Sequence, residues 1–125
     1  MENIDDFCYV DIKNEIIIEY KLLKNQIDIN NYLFIIEKIK EVFNKLLFEK
    51  EKLLIVHLNL ECLNLNDITK HYDFLCLFVD FCKNTYPDKL ETCFVYKCPC
   101  IFDILFSVVS KLLDKKTREK ISFIS

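Results

Sequence analysis

Glycine, alanine and tryptophan are all absent from this chain of 125 residues. Without glycine there is no phosphate-cradling P-loop, no dinucleotide fingerprint and no Gly-x-Ser-x-Gly nucleophile elbow, because each needs a backbone approach that a Cβ obstructs. Tight turns must instead use Asn, Asp and Lys, with some backbone strain. Arginine occurs once, at Arg118, and the net charge is -3. Nucleic-acid binding, which needs a concentrated basic face, is therefore not expected. No apolar run reaches the ~18 residues of a membrane span, and Asp103 interrupts the most apolar stretch. The start MENIDDFCYV is acidic and has no signal-peptide pattern.

Seven cysteines are present, an odd number. Together with the missing signal pattern this points to a reducing, cytoplasmic setting with buried free thiols. Three of them lie close together, as Cys93, Cys98 and Cys100. Cys98-Pro99-Cys100 has neither the paired spacing of structural zinc nor the two-residue spacer of a redox pair. No metal or cofactor is expected. His57 lies in an apolar run and His71 in a helical one, where a hydrogen-bonded structural role is the ordinary reading. The serines at 107, 110, 122 and 125 show no spacing to a histidine and an acid. The carboxylates spread over solvated faces with no paired signature. The expectation is a protein that is not an enzyme.

At 52% hydrophobic, the chain can bury one core, so residues 1–125 form a single domain. FCYVDI (7–12) and EIIIEY (15–20) read as a hairpin turning at Lys13-Asn14. Residues 25–31 are polar loop. From Tyr32 to Glu49, Ile35/Ile36, Ile39, Val42/Phe43 and Leu46/Leu47 keep the 3.6-residue period of a helix. LLIVHLNL (53–60) reads as a buried central strand. Asn66-Asp67 opens one long apolar helix to about Asn84. A short strand covers 92–96, and Pro99 suits the first turn of a helix over 99–113. A basic turn over 115–120 precedes a last strand, ISFIS. The order β-β-α-β-α-β-α-β predicts an α/β domain with one mostly parallel, mixed sheet and helices on both faces.

The 99–113 helix keeps its polar residues, Asp103, Ser107, Ser110, Lys111 and Asp114, to one narrow stripe. Its apolar arc is wider than one sheet contact requires, so a second apolar surface must meet it. The basic cluster Lys115, Lys116, Arg118 and Lys120 reads as a solvated helix end, or as a weak contact with acidic headgroups. At most peripheral membrane contact is expected.

From Leu53 to Phe123 the chain resembles the CRAL-TRIO family of lipid-binding domains, with the match strongest over 84–123. Tyr86, Pro87, Asp88 (the family usually has Glu), Lys89 and Leu90 match the family's tyrosine-proline segment. Pro99 and Phe102 match its strand-to-helix corner. Leu112, Leu113, Asp114, Thr117, Arg118, Lys120 and Ile121 match its closing segment. In this light Lys97, Cys98 and Cys100 stand where the family has asparagine, alanine and tryptophan, and the cysteines become packing residues. The aspartate-x-x-glycine that follows the family's central strand is replaced by His57 and Leu60. The family's N-terminal helical extension and its C-terminal continuation are not matched, so a reduced domain is expected. The STAS fold shares this strand-helix order.

The resemblance implies a hydrophobic ligand, a lipid or another small molecule, in a pocket bordered by the 99–113 helix. Phe102, Leu105, Phe106 and Val109 would face Leu75, Phe78 and Phe81 of the preceding helix across it. The alternative is a protein-interaction or dimerisation scaffold, as in the related BCH-type domains, with the same apolar arc buried against a protein partner or a second copy in a homodimer.

Overall fold

The structure is a computed structural model and describes residues 6–98 and 102–124 (for Phe102 and Leu105, the backbone). A hairpin opens it, with β1 at Cys8–Val10 and β2 at Ile16–Glu19. Asn14 takes φ 61 in the turn, a conformation asparagine tolerates better than most residues. Asp11 completes the turn by accepting from the Lys13 and Glu15 backbone N–H groups at 2.9 and 3.0 Å. The strand expected to continue to residue 20 bends at once into a short helix, α1 (Tyr20–Lys24).

Helix α2 covers Tyr32–Asn44 and runs on as one π-helical turn, Lys45–Glu49. Its apolar stripe is buried at Ile35, Ile36, Ile39 and Phe43, and Leu46 follows from the π turn. Strand β3 is Leu54–Asn59. The single helix expected from Asn66 is two: α3 (Leu65–Lys70) and α4 (Tyr72–Thr85). His71 leaves helical geometry at φ -106, ψ 16 and separates them. The start lies earlier than expected because Asn64 caps α3 in a reciprocal box with Asp67, each side chain accepting from the other's backbone N–H. Then come β4 (Leu90–Tyr96), α5 (Phe102–Leu112), α6 (Lys115–Arg118) and β5 (Ile121–Ile124). Pro99 lies outside the described residues.

The five strands lie in the order β1-β2-β3-β4-β5, so β3 is central. Among the described residues only the β1–β2 pair is antiparallel. Register lines up two inner rows across the sheet: Val10, Ile16, Val56, Cys93, Ile121 and Cys8, Ile18, Leu58, Val95, Phe123. These rows belong to the hydrophobic core. The row between them, Tyr9, Ile17, His57, Phe94 and Ser122, points the other way, as the period of two demands.

Helices on both faces were expected; among the described residues all six helices lie over the inner rows. The strands from β2 to β5 are added in one direction across the sheet. A right-handed crossover at each step puts every connecting helix on the same side. Each of the six helices accordingly contributes side chains to one space above that face.

Candidate functional site

That space is a cavity of about 760 Å³ between the sheet, α4 and α5. The inner rows form its floor, with Ile18, Val56, Leu58, Cys93, Val95, Ile121 and Phe123. Leu75, Phe78, Val79 and Cys82 make the α4 wall at helical spacing. Phe106 and Val109 of α5, with Leu113 just beyond it, make the opposite wall. The Phe106 ring meets the floor edge-on at Phe123, with centroids 6.2 Å apart. None of the side chains described on α5 is fully buried, and Ile104 and Phe106 are 45% and 46% exposed. The wide apolar arc of this helix thus has a cavity on its inner side and solvent beyond it.

Of the residues expected around the pocket, Phe106, Val109, Leu75 and Phe78 are brought together on its walls. Phe81 stands off the wall. It packs against Tyr86, ring edge to face at 5.6 Å, and is partly buried against the core. Cys82, four residues on from Phe78, takes the wall position instead. The side chains of Phe102 and Leu105 lie outside the described residues.

The cavity has two polar ends. At one, Asp67 is buried and Lys24 Nζ lies 3.0 Å from its Oδ2. Burial alone pushes the Asp67 carboxyl up. Hydrogen bonds from Lys24 and the Asn64 backbone N–H, with the Tyr20 hydroxyl close by, outweigh it and hold the group below the ordinary carboxylate value. Burial and the Asp67 charge raise the Tyr20 hydroxyl, and burial lowers His71, so both are neutral near pH 7. The Tyr20 hydroxyl approaches Asp67 without completing a hydrogen bond of normal geometry. His71 Nδ1 is likewise buried with no protein partner. Sequence reasoning missed this end. Tyr20 read as a strand residue, and the α3–α4 break that places His71 has no proline or glycine to announce it.

At the other end Lys83, Asp88, Asp114, Arg118 and Lys120 reach the cavity. Lys116 binds Asp88 at 2.8 Å, and Arg118 Nη1 donates to the Ser110 carbonyl at 2.8 Å. The basic turn therefore ties α6 to α5 and to the turn before β4. Lys115 is exposed beside them.

Tyr86 of the tyrosine-proline segment is buried and donates to Asn44 Oδ1 at 2.7 Å. Its ring meets Phe43 edge to face at 5.5 Å. The next turn needs φ 60 at Asp88. Cys98 packs against the core, while Pro99 and Cys100 lie outside the described residues. Among the described residues the six cysteines are unpaired and no cluster of metal-ligating side chains forms.

His57 is on the uncovered sheet face, away from the cavity. Its Nε2 faces Glu15 Oε1 and its Nδ1 lies 2.7 Å from Tyr96 Oη. A carboxylate only accepts, so Nε2 carries a proton and donates to Glu15. The Phe94 and Tyr96 rings stack on the imidazole at 5.3 and 5.6 Å. His57 fastens β2, β3 and β4 together. No nucleophile accompanies it among the described residues of this network.

Among the described residues no helix is long and apolar enough to cross a membrane. Set against curated proteins, the sequence matches none. The solved structure titled "Crystal structure of Sfh5" is similar in fold, with a TM-score of 0.77 at 14% sequence identity. The similarity covers 94% of this chain and 46% of that one, so the chain spans less than half of the matched protein's length. The family model for the CRAL/TRIO domain matches residues 15–125. On that match, which takes in all of the cavity's walls, the chain belongs to the CRAL/TRIO domain family.

Proposed function

We propose that this chain is a non-enzymatic binding module that holds a lipid or another hydrophobic small molecule between the sheet, α4 and α5. CRAL/TRIO proteins are in general lipid-binding or lipid-transfer proteins, and this gives the class. The observation that carries the reading for this chain is the cavity itself. At about 760 Å³ it falls within the range of small-molecule sites, and its floor and long walls are almost wholly apolar. A partly open pocket of this size leaves Leu, Phe and Val side chains facing water rather than apolar neighbours. An apolar ligand supplies those neighbours. Phe106, Val109, Leu75 and Phe78 are the contacts, and α5, only partly buried, is the wall that must yield for entry.

A second reading keeps one specific observation. Ile104 and Phe106 expose apolar surface on α5, and a protein partner or second copy of the chain would cover it. One change separates the two. Replacing Phe106 with Asp puts a charge at the cavity wall. Transfer of a fluorescent phospholipid or fatty acid from vesicles should fall at least tenfold while the protein stays a monomer. A change in subunit count, with no lipid uptake to lose in the parent protein, would favour the interface.

A further inference from the structure

The two ends of the cavity differ in their access to water. At the Asp67 end protein closes the space. Asp67 is buried and tied to Lys24 and to the Asn64 backbone N–H, and Tyr20 Oη and His71 Nδ1 beside it are covered. At the opposite end Lys83, Asp88, Asp114 and Arg118 line the cavity and are exposed, so that end meets water. Between them the floor follows β3 from Leu54 to Leu60, roughly 20 Å at the spacing of a strand. Leu90, paired with Leu54, opens β4 at the α6 end, and Leu60 follows β3 at the Asp67 end, so the long axis runs along the strands. We infer that the bound molecule is a lipid with one apolar body, a single chain or fused rings lying along the strands, and that two-chain phospholipids are rejected. The inference rests on the ligand-binding reading above and narrows it.

Size carries the first part. A space of about 760 Å³ covers most of the surface of one drug-sized molecule. A two-chain phospholipid has far more apolar bulk than a fatty acid or a sterol. The blind end carries the second part. With no exit past Asp67, both chains of a phospholipid would have to share the one slot between the Phe78 side of α4 and the Phe106 side of α5. A chain left outside would lie in water and lose the burial that drives uptake. Widening the slot is opposed by its own walls. Phe78 stacks on the buried Phe74 with centroids 6.1 Å apart, and Phe106 meets Phe123 edge-on at 6.2 Å. One chain or one ring system needs no such displacement. The polar group of the bound molecule stays at the α6 end in water, so the preference turns on the apolar body and not on the head.

The test uses vesicles of dioleoylphosphatidylcholine with minor shares of cholesterol and of oleoyl-lysophosphatidylcholine, which has the same head and one chain. The protein is incubated with them and recovered by gel filtration. Native mass spectrometry then reads its adducts, each scaled to the amount supplied. The parent protein should carry one molecule of the lysolipid or of cholesterol, at least about tenfold over the two-chain lipid. Phe78→Ala removes a wall ring and should raise the two-chain share severalfold. Leu75→Ala is a second enlarging variant, and melting curves show which of the two is folded and fit to compare. Equal or greater uptake of dioleoylphosphatidylcholine by the parent would overturn the single-body cargo while the ligand-binding reading stands. An unchanged ratio in the folded enlarged variant would place the preference in the vesicle rather than the cavity, and would overturn it too. No adduct of any of the three lipids would overturn both readings.

Discussion

Lys24 Nζ and Asp67 Oδ2 stand 3.0 Å apart, joining the helix after β2 to the first turn of α3 across the end of the cavity. The Asp67 carboxyl lies below its ordinary value in the folded chain. Its contribution to stability is therefore complete above the unfolded carboxyl value and is lost as pH falls through the folded one. His71 is lowered by burial from 6.5, so it too favours folding above that value and opposes it as the unfolded chain takes up a proton below. Acid unfolding should show both contributions. His71→Phe should flatten the loss of stability that begins below about pH 6.5. Asp67→Asn, which keeps the capping acceptor, should flatten the part near pH 4 and below. Urea midpoints measured from pH 7 to pH 3 check this; unchanged curves for both variants would contradict the burial of this corner.

Tyr86→Phe keeps the ring contacts with Phe43 and Phe81 and removes only the donor to Asn44 Oδ1. The cost should be about 1–2 kcal/mol, because a partly buried acceptor loses its partner. Burial raises the Tyr86 hydroxyl to about 12, so the bond persists through mildly alkaline pH. Denaturant midpoints for the variant, and for Asn44→Ala paired with it, read the coupling directly. Additive costs would mean that the two side chains do not interact.

The thiols should fall into two groups. Burial raises Cys8, Cys82 and Cys93 to about 12, which leaves almost no thiolate at pH 8. Cys62 is exposed. Maleimide labelling followed by peptide mass spectrometry should modify Cys62 first, the half-buried Cys82 and Cys93 slowly, and the buried Cys8 only on unfolding. A bound apolar probe should slow the labelling of Cys82 and Cys93 further, since both line the cavity, and leave Cys62 unchanged. Rapid labelling of Cys93 in the folded protein would contradict the packing of the inner rows.

Much of this fold is legible in local pattern. The 3.6-residue stripe of α2 and the unbroken LIVHLN run of β3 each name their element because burial selects the same residues that local geometry favours. The hairpin is legible at Lys13-Asn14 for the same reason. The break between α3 and α4 is not, because His71 carries no helix-stopping chemistry and only tertiary packing places it. Which face the helices cover is not a local property either; it follows from strand order. Leu75, Phe78, Phe106 and Val109 are legible as cavity residues from helical spacing joined to the family resemblance. Phe81 shares that spacing but packs on Tyr86 rather than lining the cavity, because one α4 stripe meets both. Asp67 and His71 stand four residues apart on α3 and its C-cap, but Tyr20 comes from α1, and no one-dimensional pattern joins it to them.

The basic turn should attract anionic vesicles weakly and less so as salt rises. Lys116 is already engaged by Asp88, and Arg118 by the Ser110 carbonyl. Lys115→Gln with Lys120→Gln should therefore remove most of any co-sedimentation with phosphatidylserine vesicles, and Lys116→Gln little. Binding unaffected by changing all four cations would remove the turn from the account.

The most direct measurement is native mass spectrometry of the purified chain beside an organic extract of the same sample. The account predicts a monomer carrying a small apolar adduct that is recovered in the extract. It also predicts loss of that adduct in Val109→Trp, which pushes a larger ring into the cavity that Phe106 and Leu75 border. A ligand-free dimer, with nothing in the extract and no change on filling the cavity, would contradict it.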